Sequence, residues 1–247
     1  MPGHYISSIA KKLIERYDVV DIAAYKDLNE KFRLKYSLDR LTACFLLALL
    51  SPIFLLIILW VKLDGLFFPE DSGSVFYLEP RISAGKVFNI IKFRTVTMAA
   101  TKEIKSKPDT KSITGSLHTT HAGKMILKWY MDELPQLFNI AKGEMSFVGP
   151  RPHILNQHNQ EIAAGLIYRD VIKAGLLGIP QVCKRRPKYA KLLQRMALKH
   201  KPVSRTLNTL DGLYAKKCLN KAPLQIILLD LYIILQGLIV IVRGEKQ

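Results

Sequence analysis

Apolar residues form one uncharged run from Leu41 to Val61. As a helix, these twenty-one residues would extend about 32 Å, enough to cross the hydrocarbon core of a bilayer. Ser51 and Pro52 lie at its midpoint. Because proline lacks a backbone donor and clashes with the preceding turn, we expect the helix to bend or break there.

Two membrane topologies fit this segment. Basic residues flank both ends, with Arg40 before it and Lys62 after it, whereas a crossing helix usually has its basic excess on one side. A helix-break-helix hairpin that enters one leaflet and returns explains the central proline and both flanks. A kinked helix that crosses the bilayer explains the length equally well, and the pattern alone leaves both topologies open.

Shorter runs of alternating character follow the apolar segment. Val75 to Leu78 and Val87 to Ile91 have the β-branched and aromatic content of strands, and Ser83-Ala84-Gly85-Lys86 lies between them. This pattern predicts a small β-hairpin. Residues 99–121 are polar and poor in apolar positions, so we predict a surface loop there that closes over a substrate.

Two later segments have helical periodicity. Residues 191–199 place a basic side chain at every fourth position and Leu or Met on another face, which fits a helix on a membrane surface and also a solvated face of a basic domain. Ala222 to Gly244 is strongly apolar, but its polar groups fall within an arc of about 140°. Because Asp230 would cost about 2.5–3.5 kcal/mol at the bilayer centre, we predict an interfacial or core helix rather than a second crossing.

The charge of the chain narrows its partners. It contains 37 Lys and Arg against 20 Asp and Glu, a net charge of +17, which predicts nucleic acid, an anionic membrane surface or a phosphorylated substrate as partner. The uncharged apolar run argues against nucleic acid. The cysteines, Cys44, Cys183 and Cys218, have no metal-site or disulfide spacing, which favours a reducing compartment. Residues 1–36 lack the apolar core of a secretory signal.

Asp132 and Glu133 are adjacent acids in this basic chain. Pro135 follows them, and a proline in the first turn with acids at or before it is typical of a helix N-terminus, where the helix dipole favours ionised carboxylates. Adjacent residues at a helix start project about 100° apart, so one carboxylate can face a phosphorus atom while the other binds a metal. An acidic helix start without a catalytic role gives the same local pattern.

Basic residues lie where they can bind phosphate. Lys92 and Arg94 alternate along the second predicted strand and therefore share a face, and Arg81 precedes them, so that cations can converge on one anion. Two prolines flank Arg151 and restrict the backbone on either side, which presents a pre-oriented guanidinium. Each pattern is also common on ordinary protein surfaces. Their occurrence together supports a phosphate-binding site.

Four blocks in this order resemble the monotopic phosphoglycosyl transferases, also called bacterial sugar transferases. They are the apolar segment with its central Ser-Pro at Ser37 to Val61, FNIIKFRT at Phe88 to Thr95, DELPQLFNIAKGEMSFVGPRP at Asp132 to Pro152, and DGLY at Asp211 to Tyr214. The third block is the most specific. The resemblance covers roughly residues 35–243.

The resemblance implies a reaction and a location. Members of this family transfer a sugar-1-phosphate from a UDP-sugar to a polyprenol phosphate such as undecaprenyl phosphate, release UMP and use Mg²⁺, on the cytoplasmic face of the bacterial inner membrane. Their apolar segment is a re-entrant hairpin broken at the Ser-Pro, here Ser51-Pro52. By this analogy Asp132 attacks the sugar-linked phosphorus to form a covalent aspartyl intermediate, and Glu133 helps to hold Mg²⁺. The cations expected around the phosphates are Arg81, Lys92, Arg94 and Arg151.

The expected fold is α+β and helix-rich, with a small β-hairpin, a re-entrant helix-break-helix and interfacial amphipathic helices. We expect a basic extension at residues 1–36, the membrane hairpin at 37–62 and a cytoplasmic catalytic domain at 63–247. The expected partners are a UDP-sugar, a polyprenol phosphate, an anionic membrane surface and downstream glycosyltransferases, with no nucleic acid among them.

Three positions depart from the resembled pattern. Ser83 replaces a glycine, Leu127 stands where an arginine is common, with Lys128 beside it, and Ala174 stands where a Pro-Gly-Ile-Thr-Gly-like segment begins with proline. These departures motivate an alternative function, a catalytically silent member that binds prenyl phosphate as a membrane scaffold.

Overall fold

The computed structural model describes residues 22–106, 118–163, 166–184, 211–212, 214–215 and 217–242. Its helices are α1 (Ile22–Phe67), α2 (Met98–Ser106), α3 (His121–Lys128), α4 (Gln136–Lys142), α5 (Leu155–Ala163), α6 (Tyr168–Val171), α7 (Ile179–Lys184) and α8 (Pro223–Val242). Its strands are β1 (Phe76–Ser83), β2 (Lys86–Phe93), β3 (Ser146–Val148) and β4 (Gly175–Leu177), and single 3₁₀ turns cover Pro69–Asp71 and Met131–Glu133. The predicted helix-rich fold with a small hairpin is confirmed. The predicted basic helix at 191–199 lies outside the described residues.

Helix α1 contains the predicted apolar run and continues through Pro52 without a non-helical residue. Proline has no N–H to donate to the carbonyl four residues earlier, that of Ala48. The hydroxyl of Ser51 donates to this Ala48 carbonyl oxygen at 2.8 Å, so the carbonyl keeps a partner. The predicted interruption of the helix is therefore not observed, and a re-entrant path stays a prediction.

The apolar part of α1 is mostly exposed. Residues Glu30–Phe67 are long and apolar enough to cross a membrane by length and composition. Large apolar side chains are exposed along this part, among them Leu41, Phe45, Leu49, Leu55 and Leu59. Such a surface is costly in water, so the helix is compatible with membrane association.

The predicted β-hairpin is confirmed, with longer strands than the sequence indicated. Strands β1 and β2 form a two-stranded antiparallel sheet. Ala84 and Gly85 form the turn between them with φ of 47° and 71°. Positive φ at both central residues is typical of a two-residue type I′ turn, whose twist matches that of the strands it joins.

The loop predicted at residues 99–121 is wrong over its first part, where α2 begins at Met98. The hydroxyl of Thr97 accepts a hydrogen bond from the Ala100 amide and so caps the start of the helix. Ala100 and Thr101 are buried, and tertiary burial of this face outweighs the polar composition of the segment. Residues 107–117 lie outside the described residues.

The described chain forms two compact units. One contains residues 41–79 and 89–141, and the other contains the remaining described residues. In the first unit, the ring of Phe54 lies 5.7 Å from Phe93 and 5.6 Å from Phe138, and Phe76 stacks on Phe93 at 5.5 Å. These aromatic contacts join α1, β1, β2 and α4 within the unit. The predicted three-part division at residues 36 and 62 stays a prediction.

The second unit is built around the short parallel pair β3 and β4, in which Ser146 pairs with Gly175 and Val148 with Leu177. Its apolar core draws on the N-terminal part of α1, on the β3 and α6 region and on α8, through Leu28, Phe32, Val148, Tyr168, Ile172, Tyr214, Ile226 and Ile233. Sequence-distant segments thus share one core, as a compact unit requires.

Helix α8 packs one face into this core and exposes the other. Asp230 is buried, and it lies 2.7 Å from Nζ of Lys35 and accepts a hydrogen bond of 2.7 Å from the hydroxyl of Tyr214. The opposite face exposes Leu224, Leu228, Leu231, Leu235 and Leu238. A charge paired inside the protein avoids the cost of an isolated charge in lipid. The prediction of a core or interfacial helix is thus confirmed for its core contacts, and the other face of the helix is apolar and exposed.

Candidate functional site

The acidic pair lies at a helix start, as predicted. Asp132 and Glu133 occupy a 3₁₀ turn that leads through Pro135 into α4. Tyr130 precedes this turn in the left-handed region, with φ 55° and ψ 28°, which redirects the chain from α3 into the new turn. Both acids are half-buried. Two carboxylates are therefore presented together at the positive end of a short helical segment.

Asn139 fixes α4, the helix that follows the acids. Its side chain is fully buried, its Oδ1 accepts from the Ile91 amide at 3.0 Å and its Nδ2 donates to the Asn89 carbonyl oxygen at 2.8 Å. Both partners belong to β2. The side-chain amide therefore acts like a short piece of strand that binds α4 to the edge of β2, and it sets the position of the acidic pair relative to that strand.

Lys92 and Glu133 form an ion pair beside the acids. Nζ of Lys92 lies 3.2 Å from Oε1 of Glu133, with 24% and 38% of the side chains exposed. A pair this accessible to water contributes roughly 0–1 kcal/mol to stability. Its main consequence is geometric, because it places a cation directly beside a carboxylate of the dyad.

Arg94 has a different environment from Lys92. It is 1% exposed, and its guanidinium donates to the backbone carbonyl oxygens of Ser74, Val96 and Asp71 at 2.6, 2.7 and 2.6 Å. Burial lowers its pKa, an effect that the nearby Asp71 and Asp64 carboxylates oppose. The alternation predicted that Lys92 and Arg94 converge on one anion, but β2 ends at Phe93 and the two side chains have different partners. Arg94 holds the loop before β1, and its role at a phosphate stays a prediction.

Asp64, Asp71 and His121 form a cluster whose potential ligand atoms lie within 4.8 Å of one another. Asp71 accepts from the His121 amide at 3.0 Å and lies 2.8 Å from His121 Nδ1, while Asp64 accepts from the Ala122 amide at 2.8 Å. Thr120 Oγ1 accepts from the Gly123 amide. These acceptors satisfy the free amides at the start of α3, so the carboxylates serve as helix caps.

The loop around Arg151 is held by a buried ionic network in the other unit. Arg169 donates from Nε to Glu161 at 2.7 Å and from Nη2 to Asp211 at 2.8 Å, and from Nη1 to the Arg151 carbonyl oxygen. Asp211 Oδ2 also accepts from the Arg151 amide at 3.3 Å. Both backbone groups of Arg151 are thereby fixed, while its side chain is exposed. A guanidinium on a rigid backbone is well suited to binding an anion.

The charge on Glu161 is favoured in this network. Burial would raise the pKa of Glu161, but the hydrogen bond from His153 and the positive charge of Arg169 outweigh burial and lower it. The carboxylate therefore stays ionised and paired with Arg169.

Gly149 explains why the chain can turn before Arg151. A Cβ on Gly149 would lie 2.4 Å from the Lys173 carbonyl oxygen, closer than two such atoms can approach. Gly149 donates to the Leu177 carbonyl oxygen at 3.1 Å, and Gly175 donates to that of Pro150 at 2.9 Å. The glycine allows the strand backbones to approach, and the loop leaves from the end of β3.

Sequence reasoning named the acids, Lys92 and Arg151 as site residues, which stays a prediction. It placed Arg81 between the two predicted strands, whereas the structure has it half-buried within β1. It missed Asn139 and Arg169 as residues that fix the acids and the Arg151 loop. A signal was present for Asn139, since a polar residue on the buried side of a short amphipathic helix usually has a structural partner. No local signal linked Arg169 to Arg151.

An acidic pair beside a lysine is suited to phosphate chemistry, and the long exposed apolar helix of this chain is compatible with membrane association. A family model described as bacterial sugar transferase matches residues 30–244. The chain belongs to the bacterial sugar transferase family.

Individual relatives match a shorter region. UDP-N-acetylgalactosamine-undecaprenyl-phosphate N-acetylgalactosaminephosphotransferase of Aeromonas hydrophila is 35% identical over 153 residues, 60% of this chain and 34% of that protein. Exopolysaccharide production protein ExoY of Rhizobium meliloti is 36% identical over 163 residues, 61% of this chain and 69% of ExoY. UDP-glucose:undecaprenyl-phosphate glucose-1-phosphate transferase of Klebsiella pneumoniae is 33% identical over 147 residues, 58% of this chain and 30% of that protein. The match thus spans about a third of two of these relatives.

Proposed function

We propose that this protein transfers a sugar-1-phosphate from a UDP-sugar to a polyprenol phosphate such as undecaprenyl phosphate, and so starts the assembly of an exopolysaccharide, O-antigen or other glycan. The observation that carries the proposal is the Asp132-Glu133 pair, which directly precedes the α4 helix anchored by Asn139 and is flanked by Lys92, in a chain of the bacterial sugar transferase family. Relatives named as undecaprenyl-phosphate sugar phosphotransferases support the choice of substrates.

In the first step, a carboxylate oxygen of Asp132 attacks the phosphorus that carries the sugar. A bond forms between Asp132 and phosphorus, the phosphoanhydride bond breaks, and its electron pair leaves with UMP. The attack requires the ionised carboxylate of Asp132.

In the second step, a phosphate oxygen of the polyprenol phosphate attacks the same phosphorus. The bond to Asp132 breaks, the carboxylate is restored, and polyprenyl-diphosphate-sugar is released. Two displacements suit a reaction between a water-soluble donor and a lipid acceptor, because the substrates need not occupy the site together.

In this proposal, basic side chains of the protein stabilise phosphate charge. The ammonium group of Lys92 contacts Glu133 of the dyad, and it can bind a diphosphate oxygen at the same time. Arg151 offers an exposed guanidinium on a backbone fixed by Arg169 and Asp211. Arg81 is assigned to phosphate binding on the family resemblance, while Arg94 acts through the backbone it holds.

The donor set at the dyad fits Mg²⁺. Carboxylate oxygens are hard ligands, and Mg²⁺ is usually bound by one or two carboxylates together with substrate phosphates. The Glu133 side chain is 38% exposed. It can therefore bind such an ion while it keeps its contact with Lys92. When bound there, the ion would supply positive charge against the diphosphate and the leaving UMP.

We propose that the protein is bound to the cytoplasmic membrane. The exposed apolar surface of α1 supports membrane insertion, and we assign the dyad to the cytoplasmic face because UDP-sugars are made inside the cell. A re-entrant path of α1, bent at Ser51-Pro52, returns both flanks to that face. Downstream glycosyltransferases are the proposed users of the lipid-linked product.

The test is release of UMP. Purified full-length protein is incubated with Mg²⁺, a polyprenol phosphate and a panel of UDP-sugars, and we expect UMP and a lipid-linked sugar from at least one donor. Asp132→Asn should abolish release, because the amide is not a nucleophile. Glu133→Gln should reduce release strongly, because its carboxylate charge is lost.

Glu70→Gln is the matched control, since Glu70 is an exposed acid of the same unit outside the proposed site. Persistent turnover by Asp132→Asn would exclude the covalent mechanism. Failure of the wild type with every donor, combined with retained binding of the polyprenol phosphate, would favour the membrane scaffold over the enzyme.

A further inference from the structure

Helix α3 begins beside the end of the apolar run of α1. Asp64 lies three residues after Val61, where the run ends, and its carboxylate accepts from the Ala122 amide at 2.8 Å. The ring of Phe68, directly after α1, stacks on the ring of His121 at 3.9 Å. These two contacts lie roughly 5 and 10 Å beyond Val61 along the helix. When a bilayer takes up the apolar run, its headgroup region therefore lies close to α3.

The exposed face of α3 combines cations with apolar side chains. Its buried residues, Ala122, Gly123 and Ile126, hold the helix to its own unit. The exposed side chains are Lys124, Met125, Leu127, Lys128 and, at the C-terminal cap, Trp129. Residues four apart are neighbours on a helix surface, so Met125 and Trp129 form an apolar ridge and Lys124 and Lys128 a cationic ridge. The two ridges lie side by side.

This combination is complementary to the headgroup region of an anionic bilayer. Tryptophan is enriched at that level because its ring is apolar and its N–H is polar, and Trp129 is 62% exposed. Lysine side chains bury their apolar stems there and keep their ammonium groups at the lipid phosphates. Helix α3 contains no acidic residue that would oppose this attraction.

The exposed apolar surface of α1 extends as far as α3. Leu66 and Phe67, in its last turn, are both 73% exposed, and the next residue is Phe68, which stacks on His121. We propose that the exposed face of α3 docks on the headgroups of an anionic phospholipid bilayer, with Trp129 inserted among them.

Docking of α3 has a consequence for the acidic pair. Asp132 follows Trp129 by three residues, which is at most about 11 Å of extended chain. A docked α3 therefore holds the pair close to the level at which a lipid acceptor carries its phosphate. The inference rests on the proposed membrane location of the protein and does not require transfer activity.

The test uses tryptophan fluorescence. The chain has two tryptophans, Trp60 and Trp129, so Trp60→Phe leaves Trp129 as the single reporter. The full-length variant is reconstituted in vesicles of phosphatidylcholine and phosphatidylglycerol, with bromine near the headgroup end or near the methyl end of an acyl chain. We expect bromine near the headgroup end to quench Trp129 more strongly, and acrylamide in the water to quench it weakly. Trp129→Phe reports on Trp60 and so on the insertion of α1.

The cationic ridge is tested in the same background. Lys124→Gln/Lys128→Gln should lower the ratio of docked to undocked α3 roughly fivefold for each lysine, seen as weaker lipid quenching and stronger acrylamide quenching of Trp129. Vesicles without phosphatidylglycerol should have the same effect while both lysines are kept. The control is Lys102→Gln/Lys142→Gln, which removes the same charge at exposed positions outside α3 and should leave quenching of Trp129 unchanged.

Three results would overturn docking on anionic lipid while leaving the membrane location intact, provided that brominated lipid quenches Trp60. The first is quenching of Trp129 by acrylamide and by neither brominated lipid. The second is protection of Trp129 from both kinds of quencher, which would mean that a protein surface covers α3. The third is lipid quenching of Trp129 that changes neither with the two lysines nor with phosphatidylglycerol.

The proposed function fails in different ways. Absence of lipid quenching at both tryptophans would reject the membrane location together with the docking of α3. Lipid quenching of Trp129, sensitive to the two lysines, in protein that transfers no sugar-phosphate would reject the proposed enzyme and support the docking of α3.

Discussion

Ser83 and Ala174 are two of the three departures from the family pattern, and in this protein they are hydrogen-bonded to each other. The Ser83 hydroxyl accepts from the Ala174 amide at 3.0 Å and donates to the Glu144 carbonyl oxygen at 2.5 Å. Both residues are buried. A chain with glycine and proline at these positions, as in the pattern that the sequence resembles, would have neither the hydroxyl nor the amide proton, so the two departures form a matched pair.

The hydrogen bonds of Ser83 give the expected loss of stability when either residue of the pair is replaced by the residue of the resembled pattern. Ser83→Gly leaves the Ala174 N–H and the Glu144 carbonyl without this partner, at about 1–3 kcal/mol for each buried group, and adds about 0.5–1 kcal/mol for the flexibility of glycine. Ala174→Pro removes the N–H itself, while Ser83 can still donate to Glu144, so its hydrogen-bond cost is only about 1 kcal/mol.

The double variant tests the coupling. In Ser83→Gly/Ala174→Pro, the donor left unpaired by the first change no longer exists, so the double variant should be more stable than the sum of the single effects by about 1–2 kcal/mol. For a chain of this size each kcal/mol corresponds to about 2–4 °C in melting temperature. The assay is thermal unfolding of the detergent-solubilised protein, with hydrogen exchange of the Ala174 amide as a local measurement.

Ser74→Gly is the control for the serine change, because Ser74 is exposed and its hydroxyl donates to the Phe76 carbonyl oxygen, only two residues away in the sequence. We expect it to cost less than Ser83→Gly. Strict additivity of the two single variants, or unchanged exchange of the Ala174 amide in Ser83→Gly, would refute the reasoning. Confirmed coupling would mean that these two departures preserve the packing and are no sign of a decayed enzyme.

Two further predictions follow from single buried groups. Asn139→Ala should lower stability by about 1–3 kcal/mol for each of the two β2 backbone groups it leaves unpaired, measured by thermal unfolding, and should speed exchange of the Ile91 amide; protection unchanged at Ile91 would contradict this role. For Glu161 the pKa in the folded state is lowered, so the unfolded chain binds the proton more readily. The ionised carboxylate therefore stabilises the fold above its ordinary pKa of 4.5, and this stabilisation is lost as pH falls through the pKa of the folded state. The stability difference between wild type and Glu161→Gln should therefore shrink on acidification, whereas a difference that grows as pH falls would reverse the sign.

Local patterns predicted the elements that depend on neighbouring residues. The helix at Leu41 to Val61 follows from a run without charge, and the hairpin turn follows from Ala84-Gly85 between two β-like runs. The helical start at Asp132-Glu133 follows from acids placed before Pro135. The part of the loop prediction covering residues 99–106 failed because burial of Ala100 and Thr101 depends on the rest of the fold.

The sequence by itself therefore determined the apolar helix, the hairpin, the position of the acidic pair at a helix start and the excess of basic residues. Only the tertiary structure decided how individual polar groups are used: Arg94 on backbone carbonyls, Asp230 with Lys35, and Arg169 on the backbone of Arg151. The physical reason is that helix and turn formation depend on spacing within a few residues, whereas the partner of a buried charge comes from a distant part of the chain and is fixed only when the cores of the folded units assemble.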